Sequence, residues 1–139
     1  MKTQFLIALM LLAGGISRSM AQAVPQIAKA AFAKDHPSVT NPKWETEKGN
    51  FEANWKVSGM DHSALYSPAG KFISSETDIN PDALPQTVKT YMAQHVHTKV
   101  KEASKNGDAN GTVTYEADVK GRAYIFDANG HFIKTAKDD

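Results

Sequence analysis

The segment FEANWKV (residues 51–57) alternates strictly, with Phe51, Ala53, Trp55 and Val57 on one side and Glu52, Asn54 and Lys56 on the other. VTYEADVK (residues 113–120) repeats the pattern, setting Val113, Tyr115, Ala117 and Val119 against Thr114, Glu116, Asp118 and Lys120. A period of two predicts antiparallel strands with one face on a core and one face in water. Further short strands are expected at KWETE (43–47), HSALYS (62–67), KFISSET (71–77), RAYIFD (122–127) and HFIKT (131–135).

Two segments change period. In VPQIAKAAFAKDH (24–36), Val24, Ile27, Ala28, Ala31 and Phe32 recur at three- and four-residue spacing; in LPQTVKTYMAQHV (84–96), Leu84, Val88, Tyr91 and Met92 do the same. These are amphipathic helices with one face to bury. Each opens on an apolar residue and a proline, which fits a first helical turn because its missing N–H would have no partner there. Asp35-His36-Pro37 closes the first helix, since the residue before proline avoids helical angles.

The two helical segments align at an offset of 60 residues, and LYSPAGKFI (65–73) aligns with IFDANGHFI (125–133) at the same offset. FEANWKV matches YEADVKG (115–121) at an offset of 64. The pattern therefore predicts an α+β protein made of two tandem helix-plus-four-strand repeats, residues 24–80 and 81–139. Each repeat is too small to hold a large core alone, so the expected arrangement is one domain, with an antiparallel sheet, helices on one face and the other face open. A continuous eight-stranded sheet is the first expectation and a pair of separate modules the alternative.

Residues 1–23 stand apart. MKTQFLIALMLLAGGISRSMAQA has a lysine at position 2, an apolar run from Phe5 to Ala13 and small residues before Val24, the pattern of a secretory signal peptide. Its apolar run is shorter than the ~20 residues a membrane-spanning helix needs. The expectation is a product exported to the periplasm or beyond, without stable membrane insertion. The chain has no cysteine, which excludes a lipid-attachment cysteine, a disulfide framework, a thiolate nucleophile and a thiolate zinc site. Losing residues 1–23 removes Lys2 and Arg18 and no acid, leaving acids and bases close to even and Arg122 as the sole arginine. Nucleic-acid recognition, which favours arginine forks and a basic stripe, is not expected.

The order of these motifs, from VPQIAKAAFAKDHP through NPKWETEKGNFEANW and ALYSPAGKFI to a second round of LPQTVKTYM and YIFDANGHFIK, resembles the PepSY-like family with a β-lactamase-inhibitor-like fold. Those are exported proteins of Gram-negative bacteria. The resemblance covers residues 24 to about 134 and implies two repeats sharing a curved antiparallel sheet. It implies no established activity, and it suggests binding or inhibiting another protein, such as an envelope hydrolase.

The candidate chemistry is sparse. Asn106, Asp108, Asn110 and Gly111 match the first half of a calcium-binding EF-hand loop, but position twelve is Ala117 and the acid, Glu116, falls one residue early. The second Asp-Ala-Asn-Gly, residues 127–130, has no acid at the required distance, and its counterpart in the first repeat, Ser-Pro-Ala-Gly (67–70), keeps only the glycine. Hairpin turns are the expectation at both. His95-x-His97 with His36 or His62 lacks a third ligand at convincing spacing, so no metal site and no cofactor are expected. Ser63, Ser67, Ser74 and Ser75 lie outside a nucleophile elbow, and Glu45 with Glu47, or Glu52 with Glu116, lie on the face expected to be wet; no catalytic residues are assigned. Trp55 and Trp44 are expected in the core.

What remains is the polar strand face. Glu52, Asn54, Lys56, Glu116, Asp118 and Lys120 hold matching positions in the two repeats and form the candidate partner-binding set. The expected function is that of an exported, non-enzymatic protein docking an envelope or secreted protein on this face. A module for a small ligand, a peptide or a metal is the alternative.

Overall fold

The computed structural model describes residues 22–137; the expected signal peptide lies almost entirely outside the described residues. The elements, in chain order, are α1 (Gln26–Asp35), β1 (Lys43–Glu47), β2 (Asn50–Val57), β3 (Met60–Tyr66), β4 (Phe72–Ile79), a 3-10 turn (Pro81–Ala83), α2 (Gln86–His95), β5 (Glu102–Asp108), β6 (Val113–Val119), β7 (Arg122–Asp127) and β8 (Phe132–Lys137). The protein is thus α+β, with eight strands in one open sheet ordered β1 to β8 as in the chain. No described helix is long and apolar enough to cross a membrane. The chain divides into two compact units, one ending at Ser75 and the other starting at Glu76, so the boundary falls inside β4.

In the unit ending at Ser75, β1, β2 and β3 are antiparallel, with Trp44 opposite Ala53 and Ala53 opposite Ala64. α1 lays Ala28 and Phe32 on Ala53, Ala64 and Tyr66, and Trp44, Trp55 and Phe72 close the cluster. The phenol of Tyr66, a fully buried residue, donates to Asp35 Oδ2 at 2.9 Å and ties the last residue of the helix to the sheet. Burial, and then the carboxylate acceptor, push that phenol well above the ordinary tyrosine range. Ile27, expected on the buried face, is 57% exposed; its place is over the turn at Gly70, where a β-carbon would come within 2.9 Å of the Ile27 carbonyl oxygen.

In the unit starting at Glu76, β5 to β8 are antiparallel, with Ala103 opposite Ala117 and Ala117 opposite Tyr124. Val88 and Met92 of α2, with Leu84 before it, pack on Ala103, Ala117, Val119 and Phe126. Strand β5, EASKNGD, was not anticipated by alternation; its pairing with β6 outweighs the poor strand preference of Ser, Asn, Gly and Asp.

Candidate functional site

The six residues of the polar face divide by environment. In the first unit Glu52 and Asn54 are half-buried and Lys56 is exposed. Glu52 stands opposite Glu45 on one side and Leu65 on the other. Its carboxyl is held above the usual glutamate range, first by burial and then by Glu47 and Glu45, against hydrogen bonds from Ser63 and Asn54. Lys56 forms an exposed ion pair with Asp61 across the β2–β3 hairpin at 2.9 Å.

In the second unit the expectation of a wet face fails. Glu116 is 6% exposed and Asp118 4%, because β6 runs between β5 and β7 and the side chains directly opposite share their face. Glu116 lies between Ser104 and Ile125, and Asp118 between Glu102 and Ala123. Asn106 Nδ2 donates to Glu116 Oε2 at 3.5 Å, and Ser104 Oγ donates to Asn106 Oδ1 at 3.3 Å. These carboxylates are internal groups with neighbours of their own, not side chains offered outward.

Lys120 departs further. Strand β6 ends at Val119, and Lys120 sits in the hairpin turn with φ +51, followed by Gly121 with φ +74. From Phe51 opposite Tyr66 the β2–β3 ladder runs on to Val57 opposite Met60, whereas from the matching pair, Tyr115 opposite Phe126, the β6–β7 ladder continues only to Val119 opposite Arg122. The second hairpin turns before it reaches a position equivalent to Lys56, so Lys56 and Lys120 are not counterparts.

The longer hairpin has a consequence on its other face. Trp55 is half-buried rather than core, flanked by His36 at 4.7 Å between ring centroids and by His62, stacked at 5.5 Å with 18° between planes. His36 caps the C-terminal end of α1, and the helix provides no cover past it. Beyond Trp55 on the same face lie Val57, 49% exposed, and Met60, 37% exposed. Both imidazoles titrate below the ordinary histidine range, chiefly because burial disfavours the charged ring; Asp35 opposes the shift at His36, while at His62 the charge of His36 adds to it and Asp61 opposes it. Alternation placed Trp55 and Val57 on the helix side correctly, but it carries no information about where the helix stops.

The Asp-Ala-Asn-Gly segments are turns. Asp108 Oδ1 accepts from Asn110 N at 2.8 Å and Thr112 N at 2.9 Å; Asp127 Oδ1 accepts from Asn129 N and His131 N, both at 2.9 Å. These backbone donors hold both carboxyls below the usual aspartate range, the Thr112 and His131 amides contributing most. Each aspartate is thereby used up in bracing its own hairpin. Among the described residues no group of three or more His, Asp or Glu is placed to hold a metal ion.

No family model matches the chain, and no curated protein matches it. Solved structures from Bacteroides do match its fold, three of them as follows. A protein of Bacteroides eggerthii assigned provisionally to the periplasm superposes with a TM-score of 0.71 at 17% identity, covering 84% of this chain and 90% of its own. A DUF2874-family protein of Bacteroides ovatus gives 0.71 at 16%, covering 84% and 89%. A BLIP-like protein of Bacteroides fragilis gives 0.71 at 18%, covering 85% and 89%. This chain has a BLIP-like fold. At these identities the likeness belongs to the backbone, so the residues that distinguish this BLIP-like chain have to be read from its own surface. The feature that most sets one hairpin apart is the β2–β3 tip, with Trp55, Val57, Met60 and His62 on one face and Lys56 and Asp61 on the other.

Proposed function

We propose that the protein is an exported, non-enzymatic binding module that docks another protein of the cell envelope, and that it engages this partner through the β2–β3 hairpin. The observation that carries the reading is the pair Val57 and Met60, exposed beside half-buried Trp55 and bordered by the exposed Lys56–Asp61 ion pair. An apolar and aromatic centre with a charged rim of both signs is the usual anatomy of a protein-binding patch. Glu52 and Asn54 of the sequence-derived set lie on the polar face of the same hairpin, so a partner that clasps the tip meets them too. Glu116 and Asp118 are excluded from direct contact by their burial, and Lys120 belongs to a different turn.

Two further parts of the reading rest on sequence. The offset of 60 residues between the helices and between the two Gly-containing turns supports two tandem repeats of PepSY-like type in one domain. The composition of residues 1–23, with the periplasmic assignment of a fold neighbour, supports export.

The test uses the chain as bait in an envelope extract of the source cell, beside a Val57→Asp, Met60→Asp variant and a Lys101→Glu variant in the other unit. Retention of one protein by wild type and Lys101→Glu, with its loss from a hairpin variant of unchanged unfolding midpoint, supports docking at the tip. Equal retention by all three places the contact elsewhere. Retention of nothing moves the reading to a small ligand or peptide, to be sought by thermal shift.

A further inference from the structure

The chain holds three Asn-Gly sequences, at 106–107, 110–111 and 129–130, and the fold treats them differently. We infer that Asn110 is a site of spontaneous deamidation and isoaspartate formation in the folded protein, and that Asn106 and Asn129 are protected by their surroundings. The reaction needs only water. A solvent base takes the Gly111 amide proton, the nitrogen bonds to Asn110 Cγ, and the Cγ–Nδ2 bond breaks as ammonia leaves with a returned proton. Water then opens the resulting succinimide at either carbonyl, giving aspartate or isoaspartate at position 110. Glycine favours the closure because it offers no side chain to obstruct the ring.

Asn110 and Asn129 form a matched pair. Both sit in Asp-Ala-Asn-Gly turns with the same internal bonds, including Gly111 N to Asp108 O at 3.0 Å and Gly130 N to Asp127 O at 2.9 Å. Apart from the residue after the glycine, Thr112 in one and His131 in the other, whose ring nitrogen lies 3.2 Å from Asp127 Oδ2, the difference is in the surroundings. At Gly111 a β-carbon would meet nothing within 4 Å, and Asn110 and Gly111 are both exposed. At Gly130 the space is filled by Thr87 and Val88 of α2, and the Thr87 hydroxyl donates to the Asn129 carbonyl at 3.0 Å. Closing a ring through Gly130 N requires the turn to leave the helix that lies on it. Asn106 is restrained in another way: Gly107 is paired with Val113 in the sheet, and the Asn106 side chain is engaged by Ser104 and Glu116.

Opening the Asn110 turn breaks its own bonds only, whereas opening the Asn129 turn also breaks the bond to Thr87. One net hydrogen bond changes an opening equilibrium by up to about ten-fold, so deamidation at Asn110 is expected to run about ten-fold ahead of Asn129, with Asn106 slower than Asn110 as well. The experiment ages the full chain at mildly alkaline pH and follows each site by peptide mass mapping. Isoaspartate is scored with an isoaspartyl methyltransferase and labelled S-adenosylmethionine. A parallel sample is aged in urea, and a Thr87→Val variant is aged folded. Support is Asn110 first in the folded chain, near-equal rates for Asn110 and Asn129 in urea, and a faster Asn129 in Thr87→Val. The inference is overturned by Asn129 or Asn106 keeping pace with Asn110 in the folded chain, by the same order persisting in urea, or by no isoaspartate at Asn110.

Discussion

A β-carbon at position 130 would overlap Thr87 Oγ1 and crowd Val88, on a backbone with φ +83. At position 111 the backbone is similar, φ +79, but the space is empty. Gly111→Ala therefore meets only the left-handed penalty, about 1–2 kcal/mol, whereas Gly130→Ala adds an overpacking cost of about 1–3 kcal/mol. Urea midpoints should rank wild type above Gly111→Ala and that above Gly130→Ala; equal losses would show that the helix does not press on the turn. Glu52 gives a second test. Its folded pKa is raised from 4.5, so the folded state holds its proton more tightly than the unfolded chain does. The contribution to stability is present below about 4.5 and lost as pH rises through the folded value. Glu52→Gln should accordingly raise the urea midpoint at pH 7, and the gain should vanish in acid. The turn glycines and the identity of the polar positions were legible in the sequence from turn chemistry and alternation. The burial of Glu116 and Asp118 was not, since alternation gives the face a residue points to and says nothing of how far its neighbours cover it.

At the scale of elements, the end of α1 and the β2–β3 hairpin are joined by His36, Trp55 and His62. Both histidines have folded pKa values depressed below 6.5, so below that value the unfolded chain binds more protons. The stability they contribute is complete above the ordinary histidine range and is lost as pH falls through the folded values. Asp35 and Asp61 face them as acids, Lys56 lies across the hairpin, and the neighbouring phenol of Tyr66 stays protonated throughout. The urea midpoint should fall between pH 7.5 and 5, on the order of the histidine range, and a His36→Gln, His62→Gln variant should show a flatter profile there. An unchanged slope would mean that the two imidazoles titrate as they do in water. Strands β2 and β6 follow the alternating segments closely, because apolar and polar residues there obey the pleat, while β1 and β7 match the expected strands KWETE and RAYIFD. β5 escaped notice because Ser104, Asn106 and Gly107 carry little strand preference and are held by β6. The unequal hairpins escaped notice because both have Gly in the turn; the register, not the composition, separates Lys56 from Lys120.

For the whole molecule, tryptophan is unevenly shared. Trp44 and Trp55 both fall in the unit ending at Ser75, packed around Phe32 with Tyr66 and Phe72, while the unit starting at Glu76 relies on Val88, Met92 and Phe126. Tryptophan emission is therefore a local reporter of the first unit. Gly70→Ala, which sets a β-carbon against Ile27 in that unit, should lower the urea midpoint seen by emission. The proposal of one domain makes a stronger demand: Gly130→Ala, a change in the other unit, should lower the same midpoint, since a two-state domain has a single transition for every probe. An emission midpoint indifferent to position 130 would divide the chain into two cooperative units.

The strand order β1 to β8 repeats the order of the chain without a crossover. Each strand after β1 thus pairs with the strand that precedes it in the chain, and the connections are short except between β4 and β5, where α2 intervenes. Such a topology has low contact order for an all-antiparallel sheet, which favours rapid folding. On the export proposed above, a chain threaded amino end first through a translocation pore can lay down β1 to β4 and then β5 to β8 one hairpin at a time, with only the edge of β4 waiting for α2 to pass.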